Sequence, residues 1–337
     1  MAQDLVLVTG GTGFLGTHLI AQLTAQGYRV RTSVRSLDRE VEIRESLGRA
    51  GADPQVDLDL VVADLSSNDG WAGATDDVRF VLHVASPFPP AVPESDDDVI
   101  VPARDGALRV LRAARHSGVE RVVMTSSFAA VGYGHEPTDR PFTEEDWTNL
   151  DAPLGAYIRS KAVAERAAWD FIDDEAPSLE LAVVNPVGIF GPPLSADLSS
   201  SVQLAQQLLS LPAVPRLATT VVDVRDVADL HIRAMTHTGA AGQRFLASTG
   251  EPLPFGEVAE ILRTAIGRGD SVPPTLPDEV VREGAKTDPG MANMVGELGK
   301  VRRVSSDKAR TLLGWQPRSN VDALRATAIG LKDLGLV

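Results

Sequence analysis

Leu5-Val6-Leu7-Val8-Thr9-Gly10-Gly11-Thr12-Gly13-Phe14-Leu15-Gly16 is the stretch whose reading decides the fold. Its first four residues form a short apolar run, the pattern of a strand buried on both faces. Behind the glycines, Phe14, Leu15, His18, Leu19, Ala21, Gln22 and Leu23 recur at helical spacing, and Gly27 stands where a C-cap belongs. Strand, glycine turn and helix form the context in which a dinucleotide fingerprint carries meaning. The glycines run Gly10, Gly13, Gly16, spaced G-x-x-G-x-x-G. Without side chains at Gly10 and Gly13 the main chain turns tightly and approaches a pyrophosphate, whose charge the helix N-terminus stabilises. Gly16 lets the helix lie close to the strand.

Composition narrows the partners. The 337 residues carry 43% hydrophobic side chains and a formal charge of −14, enough apolar material for a core and the wrong sign for nucleic acid or an anionic membrane. An anionic cofactor must therefore be held by a few placed donors. There are no cysteines, which excludes disulfides, thiolate metal sites and a cysteine nucleophile. No apolar run has the length of a membrane span, and a strand stands where a signal peptide would, so a soluble cytoplasmic protein is expected.

Further along, Tyr28 to Val34 reads as a second strand, and its end selects the cofactor. An NAD site of this type places an acid about 20 residues beyond the glycines to bond the ribose 2′-hydroxyl. Here stand Ser33, Val34, Arg35 and Ser36. Arg35 suits a 2′-phosphate through charge-assisted bonds, so NADP is favoured over NAD. A helix is expected over 38–50 and a third strand over 56–62. At that strand's carboxyl end Asp64 either accepts from the adenine amino group or caps a short helix after Ser66. Residues 78–85 read as strand four, with His83 as a packed core histidine. A long helix over 99–117 and strand five over 121–124 follow.

A loop of about thirty residues then separates Ser127 from Tyr157, long enough to suggest a functional, substrate-side segment. Strand six is expected over 179–184. Alternation of strands and helices to this point implies a Rossmann-type, doubly wound parallel sheet. Later helices near 199–210, 226–238, 255–267, 305–313 and 320–334 mix with strands near 219–222 and 243–247. The Pro- and Asp-rich stretch 270–290 reads as a loop or lobe boundary. The expected division is a Rossmann domain over 1–188, with segments around 215–238 returning to it, and a smaller mixed α/β substrate lobe over 189–337.

Tyr157 and Lys161 stand at i and i+4, on one helix face. A phenol ionises near pH 10 in water, and a nearby cation favours its anion. Tyr157 can therefore protonate a carbonyl oxygen, with Lys161 supporting the phenolate and bonding the nicotinamide ribose. Ser127, at the end of strand five, can polarise the carbonyl. The hydride must come from a nicotinamide, since no side chain supplies one.

These residues carry a family resemblance over most of the chain. It resembles an extended short-chain dehydrogenase/reductase, within the branch of dihydroflavonol 4-reductase, cinnamoyl-CoA reductase and aldehyde reductase. Val8 to Gly16, including Phe14 and Leu15, resembles the fingerprint, and Tyr28 to Arg35 resembles the NADP-preferring second strand. The resemblance places Asp64 and Leu65 at the adenine, and Val84, Ala85 and Ser86 in the nucleotide-lining turn. Thr125-Ser126-Ser127 resembles the catalytic-serine segment, with Ser127 the better match. Asn185 to Pro192, with Pro186 and Ile189, resembles the stretch passing the nicotinamide. Residues 222–228, 304–309 and 312–315 resemble the later signatures. The implied activity is carbonyl reduction by Ser127, Tyr157 and Lys161 with NADPH, reversible as alcohol oxidation.

The segment Phe128 to His135 does not match the specificity segment of plant flavonoid reductases, so a flavonoid substrate is not implied. Phe88 and Tyr133 are candidate pocket aromatics, which ordinary packing explains equally. A sugar-nucleotide epimerase, a hydroxysteroid dehydrogenase and an NADP-sensing regulator without turnover are the alternatives. No metal site is expected. The expected partner is a small carbonyl substrate, and a homodimer is the one macromolecular partnership left open.

Overall fold

The computed structural model describes residues 4–87, 95–136, 138–269 and 271–337. Its first half alternates β1 (Leu5–Thr9), α1 (Phe14–Ala25), β2 (Arg29–Val34), α2 (Glu40–Arg49), β3 (Leu58–Val62), α3 (Trp71–Thr75), β4 (Phe80–His83), α4 (Asp97–His116), β5 (Arg121–Thr125), α5 (Ala156–Glu175) and β6 (Glu180–Pro186). The second half adds β7 (Gly188–Phe190), α6 (Ser200–Ser210), β8 (Ala218–Asp223), α7 (Val224–Thr236), β9 (Gln243–Ala247), β10 (Thr249–Pro254), α8 (Phe255–Ala265), α9 (Asp278–Gly284), α10 (Pro289–Val295), α11 (Asp307–Leu313) and α12 (Asn320–Asp333).

Seven parallel strands lie in the order β3-β2-β1-β4-β5-β6-β9. The pleat divides their apolar side chains between two faces. Val6 and Val8 pack with Leu19 and Leu23 of α1 and Val227 and Leu230 of α7. Leu5 and Leu7 pack on the other face with Val110 and Leu111 of α4 and Phe171 of α5. Helices on both faces make this the doubly wound sheet expected of the sequence. A second sheet, β10-β8-β7, mixes one antiparallel and one parallel pairing. It has its own core, with Phe190, Leu208, Phe255, Leu262 and Leu324.

Two expectations for the second half need correction. The short strands β7 and β10 were not anticipated: β7 has three residues, and β10 carries glycine, two prolines and a register shift. Residues 270–290, read as a loop, contain α9 and the start of α10. There Pro277 and Pro289 start helices instead of breaking them. Pro277 is the N-cap of α9, and Asp288 caps α10 by accepting from Gly290 N and Met291 N. In the first half, the short helix expected after Ser66 is α3, which begins at Trp71.

Arg121 ties the sheet to α7. It is buried, and its Nη1 donates to the carbonyls of Ala234, Met235 and His237 at 2.8–2.9 Å, closing the helix end. Arg121→Leu strands those carbonyls and costs ~2–4 kcal/mol. A denaturant midpoint equal to that of the parent protein would exclude this anchoring role.

Candidate active site

The glycine turn is built by contacts that forbid side chains. Gly10 adopts φ +71°, and Gly13 N donates to Gly10 O at 2.9 Å. A Cβ at Gly16 would lie 2.3 Å from Gly10 O, so Gly16 lets α1 close against the turn itself. Gly11, which the spacing argument passed over, is as constrained: a Cβ there would lie 2.2 Å from Thr32 Oγ1. Phe14 is half-buried and Leu15 buried at the start of α1. Gly13, the N-cap, offers no side-chain cap, and the first turn contains no acid. Free N–H groups and an unopposed helix dipole are what a pyrophosphate requires, so the residues present fit a dinucleotide. Gly16→Ala should push α1 off the turn and weaken NADPH binding by about tenfold or more, the equivalent of a modest overpacking strain. Unaltered affinity in a titration would contradict this geometry.

At the adenosine end, Arg35 is exposed just beyond β2, close enough to Asp64 to draw its carboxyl down. The larger cause of that lowering is hydrogen bonding, because Asp64 Oδ1 accepts from Ser66 Oγ at 2.6 Å and Ser66 N at 2.7 Å. Asp64 thus closes a turn at Ser66 and does not cap α3. Leu65 is half-buried, its carbonyl accepting from Arg109 Nη1.

Thr9 sets the next wall. Its Oγ1 accepts from Val84 N and Ala85 N, both at 3.0 Å, so its single hydrogen is left for His83 Nδ1 at 2.9 Å. His83 is therefore neutral with its proton on Nε2. Burial pushes its pKa down to about 4, and the Lys161 charge adds to the lowering. The core role read for His83 includes shaping the Val84–Ala85 turn.

The three candidate reacting groups come from two elements. Ser127 caps the 3-10 turn Phe128–Ala130, its Oγ accepting from Ala129 N at 3.1 Å. Among the described residues no acceptor is recorded for its own hydrogen. Tyr157 is 51% exposed at the start of α5, although large apolar side chains are usually covered. Lys161 Nζ lies 5.6 Å from the Tyr157 ring centroid and donates to Ser86 Oγ at 2.8 Å. That bond ties α5 to the turn after β4. Pro186 ends β6 in a buried position, and Ile189 sits half-buried in β7.

Tyr133 belongs to the long segment after Ser127, which is folded down: Phe142 bridges to Val304, and Tyr133 N donates to Thr148 Oγ1. The Arg302 guanidinium lies 4.3 Å from the Tyr133 ring centroid. Burial raises the Tyr133 pKa, with Arg302 opposing and Tyr157 near enough to add to the rise. Phe88 lies outside the described residues. Among those residues, no group of three or more His, Asp or Glu side chains is arranged to hold a metal ion. No helix among them is long and apolar enough to cross a membrane.

Sequence reasoning missed the residues that act through other residues. Thr9 and Glu165 carry no motif signal, and Arg244 looks like any charged residue in a short strand. Their roles depend on partners 74, 39 and 79 residues away.

The family model described as "NAD dependent epimerase/dehydratase family" matches residues 6–247. An uncharacterized oxidoreductase of Schizosaccharomyces pombe is 34% identical over 282 residues, spanning 78% of this chain and 82% of that protein. The NADPH-dependent methylglyoxal reductase of Saccharomyces cerevisiae is 34% identical over 268 residues, spanning 72% of this chain and 77% of that one. Among solved structures, yeast methylglyoxal/isovaleraldehyde reductase complexed with NADPH superposes with a TM-score of 0.80 at 29% identity, over 99% of this chain and 100% of that one.

Proposed function

The chain belongs to the NAD dependent epimerase/dehydratase family, and on that footing we propose that it reduces an aldehyde or ketone to the alcohol with NADPH, Tyr157 giving the proton. It is an NADP-dependent oxidoreductase, and the reaction is reversible. Its curated relatives include an NADPH-dependent methylglyoxal reductase, and a structure superposing over nearly its whole length holds NADPH. The observation that carries the reading is the Lys161–Ser86 bond, which ties the helix carrying the half-exposed Tyr157 to the turn after β4, at the carboxyl edge of the parallel sheet.

When bound, NADPH supplies the hydride. Gly10, Gly13, Phe14, Leu15 and Gly16 would hold its pyrophosphate at the α1 N-terminus. Arg35 would meet the 2′-phosphate, and Asp64 and Leu65 would border the adenine. Val84, Ala85 and Ser86 would line the middle of the crevice, and Pro186 and Ile189 would border the nicotinamide. Ser127 donates its uncommitted hydrogen to the substrate oxygen and polarises the carbonyl. Tyr157 then protonates that oxygen, and the Lys161 ammonium stabilises the phenolate left behind. Lys161 would also bond the nicotinamide ribose. Tyr133 borders the substrate.

In this reading the cofactor domain spans 1–188 with segments around 215–238, and 189–337 mainly form the substrate lobe, contributing β9 to the large sheet. A cytoplasmic location, a small carbonyl substrate and a homodimeric state complete the reading.

Two measurements test it. NADPH oxidation should appear against a panel of aldehydes, diketones, ketoesters and steroid ketones. Tight NADPH binding with no turnover across that panel would replace the enzyme with a sensor. Arg35→Ala should weaken NADPH by about tenfold to a hundredfold, the worth of a charged hydrogen bond, and leave NADH nearly unchanged. Equal loss for both cofactors removes Arg35 from the phosphate site.

A further inference from the structure

Behind the reacting groups lies a buried carboxylate that the mechanism above does not use. Glu165 stands one turn beyond Lys161 and two beyond Tyr157 on α5, with a side chain 0% exposed. Together with Lys161, Ser86, His83 and Ser126 it lines one polar cavity. Glu165 Oε2 accepts from Ser126 Oγ at 2.5 Å and from Asn185 Nδ2 at 2.6 Å. Oε1 accepts from Arg244 Nε at 2.6 Å and, at 3.5 Å, from Trp169 Nε1. The second hydrogen of Asn185 Nδ2 goes to Ser127 O at 3.2 Å. Arg244 is itself buried. It donates through Nη1 to Glu144 O and Asp146 O, both at 2.8 Å, and lies 3.8 Å from the Trp147 ring centroid.

Stability alone gives no reason for a charge in this place, because well-packed apolar residues commonly replace a buried ion pair without loss. What the carboxylate supplies is direction. Its two oxygens receive Ser126 from the end of β5, Asn185 from β6 and Arg244 from β9, and all three are referred to the helix that carries Tyr157 and Lys161. Ser127 follows Ser126 in the chain and is gripped at its carbonyl by Asn185. Reacting groups tolerate little displacement, and a shift of about 1 Å can cost ~10²-fold in rate.

We infer that Glu165, oriented by Arg244, is a positioning residue. Through Ser126 and Asn185 it holds the Ser127 main chain in register with Tyr157 and Lys161. The inference rests on the reading of those three residues as the reacting groups.

The test uses the full chain with Glu165→Gln, Ser126→Ala and the double variant, assayed below their unfolding midpoints beside Tyr157→Phe. Glu165→Gln turns an amide donor toward groups that also donate, and should lower kcat by about tenfold or more, with KM and NADPH affinity within about threefold. Ser126→Ala should lower kcat by about threefold to tenfold. The double variant should be no slower than Glu165→Gln alone, because the Ser126 hydrogen then has no carboxylate to meet. A folded Glu165→Gln with the parent kcat overturns the inference, as does a loss confined to KM or a double variant whose losses multiply. If Glu165→Gln does not fold, Ser126→Ala decides, and an unchanged kcat overturns it. Loss of activity in Tyr157→Phe beside full activity in Glu165→Gln removes this inference and leaves the reductase standing. A parent protein that reduces no carbonyl removes both.

Discussion

Tyr157→Phe is expected to lower kcat for carbonyl reduction by about 10²-fold or more, while NADPH affinity changes by no more than a few fold. The substitution removes one oxygen from a residue that is half-exposed, and no protein partner of that hydroxyl is recorded among the described residues. Folding stability should therefore stay within about 0.5 kcal/mol, as for surface substitutions in general. Lys161 keeps its bond to Ser86, and Ser127 keeps its bond from Ala129. What disappears is the proposed acid. Residual turnover then measures how far polarisation by Ser127 carries the reaction when the proton must come from water. Steady-state kinetics with one aldehyde and a separate NADPH titration separate the outcomes. Undiminished kcat would end the assignment of Tyr157 as proton donor. A matching collapse of NADPH affinity would make the residue a cofactor ligand instead.

The second large effect is on stability in mild acid. Burial lowers the pKa values of His18, His83 and His231 from the ordinary 6.5 to about 4 in each case. Each is bonded as a neutral ring. His18 Nε2 donates to Pro192 O at 3.1 Å, and His231 Nδ1 donates to Val227 O at 2.8 Å, leaving its Nε2 to accept from Thr125 Oγ1 at 2.6 Å. His83 accepts from Thr9.

The folded chain resists protonation where the unfolded chain accepts it. Stability from these groups is thus complete above about pH 6.5 and declines as the pH falls toward 4. Each histidine accounts for at most about 3 kcal/mol, and three together rival the ~5–15 kcal/mol that holds a typical domain folded. Asp146, drawn down to about 2 mainly by Arg140, titrates below this window and does not obscure it. Denaturant midpoints between pH 8 and 4.5 read the effect, and His231→Gln should flatten the profile. A midpoint independent of pH between 6.5 and 4.5 would show that these rings are not held neutral. NADPH binding by the folded chain should hold across that window and weaken only as the pH nears 4, where a proton on His83 Nδ1 displaces the Thr9 hydrogen that shapes the Val84–Ala85 turn.

How much of this was legible depended on how local the signal was. The crowding of Gly11 by Thr32 and of Gly10 by Ala85 comes from distant residues and was not legible. The turn at Gly10 to Gly16 could be read because Gly10 is set by its own positive φ, and Gly13 and Gly16 by the Gly10 carbonyl a few residues away. Tyr157 and Lys161 were legible for the same reason, one helical turn apart. Residues 270–290 were misread because proline and aspartate mark both loops and helix starts, and only the fold shows which.

Apolar runs and glycine spacing were enough to determine a doubly wound parallel sheet with a glycine turn that fits a dinucleotide, and the Tyr–Lys interval was enough to single out Tyr157 as the proposed proton donor. These are properties of near neighbours, and elementary sterics and period settle them. Tertiary structure alone decided that Thr9 orients His83, that β9 completes the large sheet, and that Glu165 gathers Ser126, Asn185 and Arg244. A hydrogen bond needs its two atoms within about 3 Å and aligned. For groups separated by scores of residues, only the finished packing of the chain brings that about.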